Sequence, residues 1–271
     1  MVERISNGRG NRPRLDRAAG RAASGSLLRR HLATAPAPFL EGALENPALS
    51  KEELLRMLRN RKATASQLTR VGRQHRWTRD YDVKRGLLLH PRTPPALAAR
   101  MVPHLLWRDL AEVSLNQSLR PMVRRMAEEM LSARLEDLTV GERITIARRA
   151  SRHVIQGLLE FREQGVLQSL LGNSRLVEMD AIRLASADDA PAPFLAGLAK
   201  HSVWGRRRSV RLALLSNRRT PIAAGLRVIG SLHRRDLQRV AEDGNVPTII
   251  RVGATRALER ESNGAREARR G

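Results

Sequence analysis

Cysteine is absent from the 271 residues, which excludes a disulfide framework, a thiol nucleophile and a thiolate-bound metal. The absence fits a cytoplasmic protein. Aromatic residues make up 3% against 41% hydrophobic content, so the core must be built from Leu, Ala, Val, Ile and Met, a composition suited to helices packed on helices rather than to an all-β fold. Long apolar runs are also missing. The first thirty residues carry Arg4, Arg9, Arg12, Arg14, Arg17, Arg21, Arg29 and Arg30 without the apolar stretch of a secretory signal. No later run approaches the length needed to cross a bilayer, so no integral membrane association is expected. Lysine is scarce, limited to Lys51, Lys62, Lys84 and Lys200, yet bases outnumber acids by 50 to 27 for a formal net charge of +23. Genome composition can explain Arg in place of Lys, but not the excess of base over acid.

What the chain does contain is itself, twice. Leu44 to Leu131 runs again, without a gap, from Leu171 to Leu258. Thr93-Pro94 returns as Thr220-Pro221, Asn46 as Asn173, Trp77 as Trp204, and Arg108-Asp109-Leu110 as Arg235-Asp236-Leu237. Roughly a quarter of the paired positions are identical, as a duplicated repeat unit would give.

Within each copy the chain reads as short helices closed by turn signals. Ser50 ahead of Glu53 is a capping-box start, followed by Leu54, Leu55, Met57 and Leu58 on one face. Further helices are expected from about Ala65, from about Thr78, after Thr93-Pro94 with the hydroxyl as cap, from Asp109 as cap, and after Arg120-Pro121 with Val123, Ala127 and Leu131 inward. Residues 135–170 carry Ile146, Ala147, Val154, Ile155, Leu158 and Leu159 at helical spacing, so they continue the stack rather than link it. The expected organisation is a basic, mostly disordered arm over 1–33 with a short helix near Leu27, a first helical unit over 34–134, connecting helices over 135–170, a second unit over 171–259 and a disordered tail over 260–271.

Short helices punctuated by Asn-Pro and Thr-Pro, with Asp-Leu starts and Leu/Ala/Val seams over about residues 38–258, resemble the HEAT-like α-solenoids and the related leucine-rich-repeat-variant proteins of bacteria. The resemblance implies an all-α, right-handed α-solenoid built by internal duplication. It says little of function, since such scaffolds bind proteins, DNA or RNA and only occasionally catalyse.

Bases recur between the copies at Arg56/Arg183, Arg73/Lys200, Arg79/Arg206, Lys84/Arg211, Arg92/Arg219, Arg100/Arg227, Arg108/Arg235 and Arg124/Arg251. A regular row of guanidinium groups can track a phosphate backbone, while some must instead pair within the repeats or meet helix C-termini. The densest cluster lies between Lys200 and Arg256, with thirteen bases against three acids. The candidate anion-binding residues are therefore Arg206, Arg207, Arg208, Arg211, Arg218, Arg219 and Arg227, with Arg79, Lys84, Arg92 and Arg100 in the first copy. Trp77 and Trp204, beside Arg79 and Arg206, could stack on bases or serve as packing anchors.

No two-histidine metal motif, Walker-type loop, dinucleotide fingerprint or nucleophile elbow is present, so no catalytic residue, metal or cofactor is expected. The leading expectation is a non-enzymatic protein that binds DNA or RNA, or a ribonucleoprotein surface, through backbone phosphates with little sequence preference. An interaction scaffold for an acidic protein is the alternative. DNA glycosylases for alkylated purines, also built from HEAT-like repeats, suggest a third reading: Asp109, Asp236, Trp107 and Trp204 are the matching residue types, but no glycosylase motif aligns around them and the aspartates read more simply as helix caps. Attachment to a membrane surface is a further possibility. The basic arm suggests it but lacks the apolar signal that stable anchoring needs.

Overall fold

The computed structural model describes residues 15–267, with side chains through residue 263. It is all-helical, with no strand among the described residues. The chain divides into two compact units between Leu131 and Ser132. The first contains α1 (Arg17–Ala22), α2 (Gly25–His31), α3 (Ala37–Ala43), α4 (Lys51–Met57), α5 (Ala65–Arg73), α6 (His75–Thr78), α7 (Tyr81–Leu89), α8 (Pro95–Met101), α9 (Trp107–Leu115) and most of α10 (Pro121–Ala133). The second contains α11 (Val140–Ala147), α12 (Arg152–Leu158), α13 (Gln164–Leu171), α14 (Glu178–Ser186), α15 (Ala192–Lys200), α16 (Arg208–Ser216), α17 (Ile222–Ile229), α18 (Arg234–Glu242) and α19 (Thr248–Glu267). The expected connecting helices thus group with the second copy.

Most of these helices are too short to be stable alone in water. They hold because alternate helices touch. In the second unit α11 packs on α13, α13 on α15, α15 on α17 and α17 on α19, while α14 packs on α16. In the first, α1 packs on α3, α2 on α4 and α5 on α7. Of the expected seam residues, Leu54 and Met57 on α4, Leu58 just after it, and Val123, Ala127 and Leu131 on α10 are buried, as are Ile250 and Ala254 at the equivalent places on α19, whereas Leu55 and Leu258 are half-buried. The Ser50–Glu53 capping box forms as read.

Three expectations need correction. Residues 17–31 hold more than the short helix expected near Leu27, which is α2. They form α1 and α2, with Leu28 fully buried, because Leu28 and Leu32 give the segment an apolar seam that its Arg and Gly content obscures. The rest of the expected arm, residues 1–14, lies outside the described residues. The expected tail likewise begins inside α19, which continues to Glu267, and 268–271 lie outside the described residues. Second, Thr93 and Thr220 are not N-caps. Pro94 and Pro221 hold that position, and the hydroxyls donate backward to the carbonyls of Leu87 and Leu214 at 2.5 and 2.6 Å. Third, Asp109 and Asp236 do not start their helices. Each is the third helical residue, behind Leu106 and His233.

Alternate helices are joined by buried asparagines. The side-chain amide of Asn46 donates to Gly20 and Ala23, Asn60 to Leu32 and Ala35, Asn173 to Ala147 and Ala150, and Asn217 to Ala185 and Ala187. Each amide thereby satisfies two carbonyls at the end of an earlier helix that have no helical partner of their own. Its oxygen accepts the N–H two residues ahead, shaping the turn.

His90 occupies the place of Asn217 in the first copy. Its Nδ1 accepts the Arg92 N–H at 3.1 Å, so Nε2 carries the hydrogen and donates to the Asn60 carbonyl at 3.1 Å. Burial pushes its pKa down, reinforced by the charge of Arg92 and opposed by the Asn60 carbonyl. A histidine of depressed folded pKa makes the unfolded chain bind more protons, so the stability of the first unit should fall as pH drops below about 6.5, the unfolded value. The His90→Asn variant is expected to lose this part of the pH dependence. Unfolding of both proteins across that range measures it, and parallel curves would contradict the assignment.

Candidate nucleic-acid interface

The basic cluster of the second copy is organised around the turn between α15 and α16. Lys200 ends α15, and the His201 ring accepts the N–H groups of Val203 and Trp204 at 3.3 and 3.2 Å, curling the chain into a single 3₁₀ turn, Trp204–Arg206. Gly205 lets this turn lie against α15: a Cβ there would stand 2.8 Å from the carbonyl oxygens of Leu198 and Ala199. Arg211 then ties the turn to the end of α17, its Nε donating to Gly205 and its Nη1 to Ser231, both at 2.9 Å. The result is a groove of about 410 Å³ walled by Lys200, His201, Arg206, Arg211, Arg227 and Ser231, with no carboxylate in its lining.

The four bases of this groove are four of the eight that recur between the copies. Their counterparts are Arg73, Arg79, Lys84 and Arg100, where Arg79 donates to the His75 ring at 2.8 Å. Of the expected residues, the groove gathers Arg206, Arg211 and Arg227. It adds Lys200.

The remaining candidates are placed differently. Arg208 is not available to an anion: its guanidinium grips the buried Asp236 carboxylate through Nη2 at 2.5 Å and Nε at 2.8 Å. Arg207 stands 3.9 Å from Glu178. Arg218 and Arg219 are exposed in the turn after α16, and Arg92 is exposed in the equivalent turn after α7. Trp77 is buried, with the Arg76 guanidinium 4.2 Å over its ring. Trp204 is half-buried and donates its indole N–H to the Leu171 carbonyl at 2.9 Å.

Arg208–Asp236 belongs to a ladder that residue-by-residue comparison of the copies misses. The first and fifth residues of one helix face the acid at the third position of the helix 28 residues later. Arg152 and Gln156 hold Asp180, Arg208 holds Asp236, and Tyr81 and Arg85 hold Asp109. Arg29 lies 3.9 Å from Glu53 in the corresponding place. The inner period is therefore 28 residues, with donor and acceptor alternating. Arg208 holds the Asp236 carboxyl below its ordinary range against the opposing effect of burial. The two aspartates singled out for base excision are thus engaged by their own repeats: Asp236 by Arg208, and Asp109 by the Tyr81 hydroxyl and by Arg85 at 2.6 Å.

No protein-family model matches the chain, and neither a curated protein nor a solved structure does.

Proposed function

We propose that the chain is a non-enzymatic, right-handed α-solenoid of the HEAT-like, leucine-rich-repeat-variant kind, and that it binds DNA or RNA through backbone phosphates at the Lys200–Arg206–Arg211–Arg227 groove. The alternate-helix contacts and the 28-residue ladder support the solenoid. The carrying observation for binding is the groove itself: four bases converge without a lining acid, and the duplication keeps a base at all four positions. A guanidinium beside other cations and away from carboxylates is poised for a bidentate phosphate contact. Affinity would come from counterion release and so fall steeply with salt, with little base discrimination.

The test is binding of the nuclease-treated, salt-washed protein to random-sequence duplexes and single strands across a salt series. The Lys200→Ala/Arg206→Ala/Arg227→Ala variant is expected to lose about 2 to 3 from the slope of log affinity against log salt while keeping its helicity. Arg211 is left intact because it holds the turn. An unchanged slope would remove the groove from the interface, and no binding at low salt would transfer the reading to an acidic protein partner.

A further inference from the structure

The most unusual surface outside the groove is aliphatic. Ile222 and Leu226 on α17 and Ile249 and Val252 on α19 are 50, 44, 54 and 45% exposed. They sit one helical turn apart on two helices that pack closely. A Cβ on Gly225 would stand 2.5 Å from Ile250 Cδ1, and one on Gly253 would stand 2.8 Å from Leu226 Cδ2, so the two pairs form one face rather than scattered tips. Single exposed aliphatics are ordinary, but a joined set on one face marks an interaction surface. The repeat architecture does not demand it, since the first copy has Pro95, Ala99, Met122 and Arg125 at the equivalent positions.

Charge selects the occupant. Arg218 precedes α17, Arg227 lies on it and Arg256 lies on α19; none of the three has an ion pair among the described residues. Helix α17 has no acid, and the first acid of α19 is Glu259. Two such faces brought together would oppose arginine to arginine, which disfavours a second copy. A sugar-phosphate backbone would satisfy the arginines and leave four aliphatic side chains without a partner. A bilayer of anionic lipid satisfies both, with phosphates at the arginines and acyl boundary at the aliphatics, supplying the two signals that stable interfacial anchoring needs.

We propose that the α17–α19 face docks on an anionic lipid surface, seating Ile222, Leu226, Ile249 and Val252 in the interface, with Arg218, Arg227 and Arg256 on the same helices and turn supplying the positive charge. This does not rest on the nucleic-acid reading; Arg227 is common to both surfaces, and substitutions that spare it, of the aliphatics or of Lys200 and Arg206, separate the two.

The experiment is co-sedimentation of the nuclease-treated full chain with vesicles of phosphatidylcholine alone or mixed with phosphatidylglycerol, at physiological salt. The protein is expected to pellet with the mixed vesicles only. Ile222→Ser/Leu226→Ser/Ile249→Ser/Val252→Ser should weaken that partition about tenfold or more while binding random-sequence duplex as before, and Lys200→Ala/Arg206→Ala should retain most of the vesicle binding. Ile249→Trp should add emission that brominated acyl chains quench. Wild-type protein left in the supernatant would overturn the proposal, as would equal pelleting of the serine variant, which would mean attraction by charge alone. A dimer by light scattering that the serine variant dissolves would also overturn it, giving the face to a second copy.

Discussion

Asn217→Ala is expected to cost the second unit about 2 kcal/mol, because it strands the buried Ala185 carbonyl and removes one of the two hydrogen bonds to the part-buried Ala187 carbonyl. The side-chain amide lies 2.7 and 2.9 Å from the carbonyl oxygens of Ala185 and Ala187, and its own oxygen accepts the Arg219 N–H at 2.8 Å. Removal leaves the buried Ala185 carbonyl without a partner, whereas the Ala187 carbonyl keeps the Ala190 N–H at 3.1 Å and exposed Arg219 can turn to water. Asn217→Asp is close to isosteric but replaces the two donors with an oxygen facing two oxygens, so it should cost at least as much. Asn217→His, which reproduces the first copy, should recover one donor and one acceptor, as His90 has, and cost roughly half the alanine value. Chemical denaturation followed by far-UV circular dichroism measures the series. Equal losses for Ala and His would mean that the cavity, and not the hydrogen bonds, sets the cost.

The ladder also explains what the sequence makes legible. Apolar seams such as Val123, Ala127 and Leu131 follow from helical spacing alone, and the Ser50–Glu53 box is local, so both can be read without a structure. The inner 28-residue period cannot be read by identity. Tyr81 and Arg208 do the same work with different atoms, and along each copy donors alternate with acids, so aligned 28-residue segments oppose unlike residues. Complementarity at that spacing, rather than similarity, is the signal that would reveal it. The same blindness affects the candidate site. Arg206 and Arg208 are equivalent as sequence, yet an acid 28 residues ahead engages Arg208 while Arg206 faces an acid-free groove. The aliphatic face is hidden for a related reason: Ile249 and Ile250 are identical residues, and only the packing of α17 against α19 turns one outward at 54% and buries the other at 4%.

Arg208→Ala should then be the costliest loss of stability in the basic cluster, although no ligand is involved. Its side chain is 63% exposed and water screens it, but that of Asp236 is 5% exposed, so losing the guanidinium leaves a buried carboxylate without its main compensation. The pH dependence separates this from a simple loss of packing. In the intact pair the Asp236 carboxyl is held below its unfolded range, so it contributes stability above about pH 4 that is lost as pH falls through the folded value. Without Arg208, burial is opposed only by the charges of His233 and Arg239, so the carboxyl sits higher than in the intact pair and contributes less stability above about pH 4. The gap between wild type and Arg208→Ala should therefore narrow as pH falls below about 4, and a constant gap there would mean that Asp236 is not what Arg208 stabilises. Arg208→Tyr combined with Leu212→Arg rebuilds the Tyr81–Arg85 arrangement around Asp109 and should restore most of the loss. That rescue exchanges the chemistry of the ladder between the copies while leaving Lys200, Arg206, Arg211 and Arg227 intact, so polyanion binding should remain at its wild-type level. A rescued fold with weakened binding would instead place Arg208 in the interface.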